Sequence, residues 1–185
     1  MRRDELEIKD TEEVIAILDK CQSLVLGMID TTEGTPTPYT VPLNFCTIHN
    51  NDEVLKIYFH GAKDGRKMDI LEKNNTVCFT AVLHEKISDE DHPEDACQWT
   101  THYESIFGTG EAKILYGPKQ PKRPNESERP YGLLAIAEQD KIRREAMDAL
   151  MKKSGYTGKP QYNTEIIDTM PIIEITVKEI TGKRR

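Results

Sequence analysis

SLVLGMIDTTEGTPTPYTVPLNFCTI, residues 23–48, is the stretch that decides the architecture. SLVLGMID (23–30) is a short apolar run, of strand rather than helix length. TTEGTP (31–36) is turn chemistry, punctuated by Gly34 and Pro36. YTVPLNFCTI (39–48) then reads as the returning strand. Strand, short turn and returning strand make a hairpin, which pairs antiparallel. Pro42 has no N–H to give to a ladder. Its strand is therefore expected at a sheet edge, or bulged there.

The flanks extend the pattern. On the N-terminal side, Asp10 is a candidate N-cap and Glu13 completes a capping-box pattern. Val14, Ile17, Leu18 and Cys21 then recur at helical spacing. On the C-terminal side, HNND is a turn. EVLKIYFH (53–60) is a third strand, with Val54, Ile57 and Phe59. A short helix is expected over 67–73, and TVCFTAVLHE (76–85) is a fourth strand. SIFGTGEAKIL (105–115) is a fifth, in which Gly108 and Gly110 predict a bend or a close backbone approach. The charged, Pro-rich stretch 117–132 reads as a surface insertion. Ala135, Ile142, Ala146, Ala149 and Leu150 mark a longer amphipathic helix, ended by Gly155. PIIEITVKEI (171–180) is the last strand, and TGKRR a solvated tail. Strands dominate and helices are inserted rather than alternating. The expected fold is mainly β: an antiparallel barrel with peripheral helices, not a doubly wound sheet. Residues 1–185 read as a single domain, without repeats or a linker.

Composition narrows the function classes. The 185 residues carry 25 basic and 32 acidic side chains, for a formal charge of -7. That argues against general nucleic-acid binding, which needs a basic face. Apolar residues make up 37%, and no apolar run is long enough to cross a membrane. MRRDELEIKD has no apolar signal-peptide core. The four cysteines (Cys21, Cys46, Cys78, Cys97) are widely spaced, with no CxxC, and are expected to be reduced and mostly in the core. A cytoplasmic protein is expected.

Against that acidic background, YFHGAKDGRKMDIL (58–71) is unusual. Lys63, Arg66 and Lys67 gather at a helix start, where a cation is disfavoured by about 0.3–1 kcal/mol. One reading is a solvated face paired with Asp64, Asp69 and Glu72. The other is an anion site. Free N–H groups at a helix start suit a phosphate. Arg66 can fork onto phosphate oxygens, and Lys67 can add a point charge. Gly61 and Gly65 let the backbone come close. Neither a Walker loop nor GxGxxG is present. His60 ends the preceding strand. It could contact phosphate, orient a substrate or donate a proton, or serve as a structural hydrogen-bonder. His92, Asp95, Cys97 and His102 match no common zinc spacing, and no CxxCH haem attachment occurs. No metal is expected.

YTVPLNF, YFHGAKDGRKMDIL, CQWTTHYESIFGTGEA (97–112) and KEITGKRR (178–185), in that order, resemble the Nim group. These are nitroimidazole-resistance-like proteins within the pyridoxamine 5'-phosphate oxidase-like flavoproteins. The resemblance covers roughly 1–115 plus the last strand; the 117–132 stretch is longer than the group's pattern. It implies a split β-barrel of Greek-key type, usually a homodimer, with FMN at the subunit interface. It implies that Arg66 and Lys67, with Gly65 and Lys63 beside them, hold the flavin phosphate. It further implies that Thr40, Val41, Pro42, Leu43 and Asn44 line the isoalloxazine. Ser105, read as the start of its strand, could hydrogen-bond the cofactor. Trp99 reads either as a flavin contact or as a core anchor. The implied activity is an FMN-dependent reductase acting on a small flat acceptor, a nitroimidazole or another nitroaromatic. The alternative is a flavin- or haem-binding carrier or sensor without turnover.

Overall fold

The structure is a computed structural model that describes residues 4–49, 54–88, 94–97, 99–119 and 133–185. Eight strands and four α-helices occur among the described residues: β1 (Glu7–Ile8), α1 (Thr11–Lys20), β2 (Ser23–Asp30), β3 (Thr37–Asn44), β4 (Cys46–Ile48), β5 (Lys56–His60), α2 (Arg66–Lys73), β6 (Thr76–Ser88), β7 (Thr100–Leu115), α3 (Leu133–Lys153), α4 (Thr164–Ile167) and β8 (Ile172–Arg184). None of the described helices is long and apolar enough to cross a membrane.

The hairpin at 23–44 forms with unbroken register, Ser23 opposite Asn44 and Asp30 opposite Thr37. β3 lies at one end of the path β3-β2-β6-β7-β8-β5-β4, so Pro42 is on an edge strand without a bulge. Every pairing is antiparallel, including that of β1 with β8. The two ends of the path, β3 and β4, are joined in sequence through Phe45, which is buried. The sheet therefore curls until its edges are neighbours along the chain. The result is the mainly antiparallel split barrel expected from the sequence.

Alternation decides what fills it. In β2, Leu24, Leu26 and Met28 turn inward while Ser23, Val25 and Ile29 face out. They meet Phe59, Phe79 and Ile106 in the interior, with Val14, Ile17 and Leu18 of α1 and Met68, Ile70 and Leu71 of α2. Burying a side chain of this kind contributes about 1.5–3 kcal/mol. A second layer forms where α3 lays Ala146 and Leu150 on Cys46, Tyr58, Leu115 and Ile172. There the buried Glu174 accepts from Tyr58 Oη at 2.6 Å and Lys56 Nζ at 3.2 Å. Burial and that carboxylate push the Tyr58 phenol up.

Several sequence expectations need correction. Residues 39–48 form two strands, not one, because the chain passes from one sheet edge to the other at Phe45. The third strand begins at Lys56, not at 53. The fourth and fifth strands are longer than read, since β6 and β7 pair as a ribbon out to Ser88 and Thr100. Ser105 thus lies well inside β7, opposite Val82 and Lys183, rather than at its start. The C-terminal residues are no solvated tail: β8 runs to Arg184 and receives β1 and β7. The α1 capping box is half made. Asp10 accepts from the Glu12 amide at 3.0 Å, but Glu13 pairs with Arg184 at 2.8 Å. Of the four free cysteines, Cys21 and Cys46 are buried, whereas Cys78 and Cys97 are exposed. The expected insertion lies, from residue 120 to 132, outside the described residues.

Candidate functional site

The cationic turn takes shape where β2 and β5 end. Gly65 is the N-cap of α2 at φ 129 and ψ 165, a conformation open to glycine and strained for other residues, and makes no side-chain cap. The Gly65 carbonyl accepts the Met68 and Asp69 amides at 2.8 and 3.2 Å. The first amides of the helix are left for another partner. Helix α2 thus begins with two amides that have no partner within the helix, beside Arg66 and Lys67. Lys63 is exposed in the same turn.

Arg66 is held from two sides. Its Nε donates to Asp30 Oδ2 at 2.7 Å, and its guanidinium carbon lies 4.7 Å from the centroid of the Tyr39 ring. Asp30 is buried, and its Oδ1 also accepts the Thr32 amide at 2.8 Å and the Thr32 hydroxyl. Thr32 foremost, with Arg66 after it, holds the Asp30 carboxyl down to about 2. The carboxylate is therefore ionised wherever the protein is folded near neutrality. The Arg66 side chain is 55% exposed.

Lys67 turns the other way. Its amine lies 5.2 Å from the Phe59 ring centroid, and a Cβ at Gly61 would stand 3.2 Å from it. Burial pulls the Lys67 amine below its ordinary value. A half-buried amine that looks for an anion is what a phosphate site requires. His60, the last residue of β5, has its imidazole lowered by the desolvation of its surroundings and then by Lys67, so it is neutral at pH 7. That favours hydrogen bonding over a role as a resident cation.

β3 splits the other candidates by parity. Val41 and Leu43 pack against the barrel core, whereas Thr40, Pro42 and Asn44 face out. The register continues this outer face across the sheet as Pro42, Val25, Thr80 and Phe107. Ser105 is two residues from Phe107 in β7, so the two share that face. The structure thus brings Thr40, Pro42, Asn44 and Ser105 to one surface and turns Val41 and Leu43 away from it. Arg66 meets β3 at Tyr39. From there the strand runs away at about 3.3 Å per residue, so Thr40 to Asn44 span about 13 Å. Tyr39 has the inward parity of Val41 and Leu43, so Arg66 and the outward residues Thr40, Pro42 and Asn44 lie on opposite faces of β3, and a ligand reaching both passes around this sheet edge.

Trp99 is 49% exposed and is not the core anchor that was one of its two readings. Among the described residues, no three His, Cys, Asp or Glu side chains gather for a metal; His92 lies outside them. Asp95 instead accepts the Cys97 amide at 2.9 Å. Sequence reasoning missed Asp30 and Tyr39. The signal for Asp30 was its place in the inward series Leu24, Leu26, Met28, Asp30, where a carboxylate interrupts a core face.

Comparison with known proteins bears on this geometry. The family model described as pyridoxamine 5'-phosphate oxidase matches residues 10–130. No curated protein matches the chain. Among solved structures, it is similar to a proposed 5-nitroimidazole antibiotic resistance protein from Bacteroides thetaiotaomicron: 21% identity, 96% of this chain and 86% of that one, TM-score 0.68. The flavocytochrome Anf3 from Azotobacter vinelandii aligns over 100% of this chain and 72% of its own, at 19% identity and TM-score 0.66. An FAD- and haem-binding protein from Mycobacterium smegmatis aligns over 96% and 72%, at 10% identity and TM-score 0.63. At these identities the likeness to solved structures is one of fold.

Proposed function

The chain belongs to the pyridoxamine 5'-phosphate oxidase family, and on that premise we propose that it is an FMN-dependent reductase of small flat acceptors. The observation that carries the reading is the pair of cations at the N-terminus of α2, with Arg66 pinned on one side and Lys67 recessed on the other. A dianionic phosphate monoester would turn those unfavourable charges into favourable ones. Arg66 would fork onto two of its oxygens, the first amides of α2 would donate to it, and the Lys67 amine would add charge from the barrel side.

The outward residues Thr40, Pro42, Asn44 and Ser105 would border the flat part of the cofactor. Flavin bound there supplies electron transfer to an acceptor stacked on its ring. The protein's part is to hold the ring edge, keep water out and present His60 at the rim, neutral and able to hydrogen-bond an acceptor. A nitroaromatic, including a nitroimidazole, is the acceptor class we favour, in keeping with the Nim-like motifs and the Bacteroides relative of the same fold. The outer sheet face would be covered by a second copy, which places the flavin between subunits.

Titration with FMN tests the reading. The wild-type protein is expected to bind FMN, and Arg66→Ala with Lys67→Ala to weaken it roughly 100-fold or more, the equivalent of two charge-assisted bonds. Equal affinity in the double variant would refute the site. Reduced, FMN-loaded protein mixed anaerobically with a 5-nitroimidazole should regain its yellow absorbance. No recovery with any nitroaromatic would leave a carrier or sensor, and a Soret band in the protein as purified would point to haem.

A further inference from the structure

We propose that Asp30 and Tyr39 are positioning residues that fix Arg66 in the pose that receives phosphate, and so set a preference for phosphorylated over unphosphorylated flavin. The inference rests on the flavin reading above and deepens it. Neither residue need touch the cofactor; both act through the guanidinium.

Three features carry it. Asp30 occupies an inward position of β2 that continues Leu24, Leu26 and Met28, where packing alone would favour an apolar side chain. It is nonetheless a carboxylate, fully engaged: one oxygen takes the amide and hydroxyl of Thr32, and the other takes Arg66 Nε. Second, the bond to Arg66 is made through Nε alone, at 2.7 Å. The far edge of the guanidinium, with its two terminal nitrogens, is left for a bidentate partner. Third, Tyr39 lies under the guanidinium, its ring centroid 4.7 Å from the central carbon. A side contact and a face contact together fix both the direction and the plane of an otherwise flexible group. Ordering it in advance lowers the entropy lost when an anion binds.

A rival view makes Asp30 a competitor that neutralises Arg66 and weakens its hold on phosphate. The two views differ in sign. If Asp30 positions Arg66, removing its charge lowers FMN affinity; if it competes, removal raises it. Riboflavin, which has the same ring and no phosphate, is the internal control.

The experiment measures FMN and riboflavin dissociation constants by flavin-fluorescence titration for wild type, Asp30→Asn, Tyr39→Leu, Tyr39→Phe and Arg66→Ala. Asp30→Asn and Tyr39→Leu are each expected to weaken FMN about tenfold while riboflavin stays within about twofold. Tyr39→Phe keeps the ring and is expected to keep the wild-type ratio. Arg66→Ala should bring the two flavins close to equal. If Asp30→Asn fails to fold, Tyr39→Leu against Tyr39→Phe carries the test. Unchanged or tighter FMN binding in the variants, or an equal loss of both flavins, overturns the proposal. Where Arg66→Ala loses FMN selectively but the positioning variants do not, only this inference falls. A wild-type protein that binds neither flavin removes the flavin reading and this inference with it.

Discussion

Lys67 packs closely over Gly61. A Cβ at residue 61 would stand 3.2 Å from the Lys67 amine and 3.5 Å from Ile173 Cδ1, so a branched side chain there crowds the amine that lies against the Phe59 ring. Gly61→Val is expected to push the amine outward. The atom met is the mobile end of a long side chain, so the fold should be little affected. FMN titration should show affinity falling about tenfold, the loss of one charge-assisted bond, with a melting temperature close to wild type. A second expectation concerns acid. Asp30 titrates at about 2 in the folded chain against an ordinary 3.8. The unfolded chain therefore takes up the proton first as pH falls. Stability from this group is full above about pH 4 and is lost through the window down to about 2. His60 has the same sign at higher pH. Its folded value is lowered from 6.5, so it favours the fold above 6.5 and loses that contribution as pH falls below. Denaturant midpoints recorded from pH 7 to 2 should fall in both windows, and His60→Gln should flatten the upper one alone. At this scale the cations Arg66 and Lys67 were legible, because a positive cluster at a helix start contradicts the local electrostatics. Tyr39 was not, because its contact with Arg66 depends on how β3 comes to lie beside α2.

The elements show where local chemistry suffices and where it does not. Helix α3 ends as read. Gly155 at φ 92 lets its own amide reach Lys152 and that of Tyr156 reach Met151, closing the last turn. The close approach expected at Gly108 is real: a Cβ there would stand 2.3 Å from Phe79 Cζ. Gly108→Ala should therefore cost about 1–3 kcal/mol by overpacking, read as a shift in the urea midpoint with an unchanged slope. The attachment of α3 was not legible. Arg143 is wholly buried; its Nη2 donates to the carbonyls of Ile167 and Met170, and its Nη1 to Asp140 at 2.6 Å. An arginine in an amphipathic helix ordinarily faces water, and nothing in its neighbours along the chain says that α4 ends against it. Arg143→Met should leave those carbonyls unpartnered and cost about 3–5 kcal/mol, far more than Lys141→Met on the exposed side of the same helix. Strand lengths were misjudged for a related reason. β6, β7 and β8 extend because each finds a neighbour to pair with, and pairing is a property of the sheet rather than of the segment.

At the scale of the whole molecule, the outer face of the sheet is the least settled surface. Pro42, Val25, Thr80 and Phe107 run in register across β3, β2, β6 and β7, and Ile29 and Val82 belong to the same face by alternation. Val25, Ile29, Val82 and Phe107 are all 41–50% exposed. A contiguous apolar face of this kind is what a protein covers with a partner. Helix α3 packs elsewhere, on Cys46, Tyr58, Leu115 and Ile172. The outward residues Thr40, Asn44 and Ser105 border the same surface, so a second copy placed there would bury the flavin candidates along with the apolar row. Such an arrangement would link assembly to cofactor binding. Phe107→Asp should be tolerated by the fold, since half of the ring already meets water, but should disfavour the paired state by leaving a carboxylate in an apolar contact. Light scattering is expected to give twice 21.1 kDa for the wild type and 21.1 kDa for the variant, with FMN affinity falling in step although Arg66 and Lys67 are untouched. A wild-type protein that remains monomeric across micromolar concentrations would remove the second copy from the reading. A monomeric variant that keeps full FMN affinity would place the entire site within one chain.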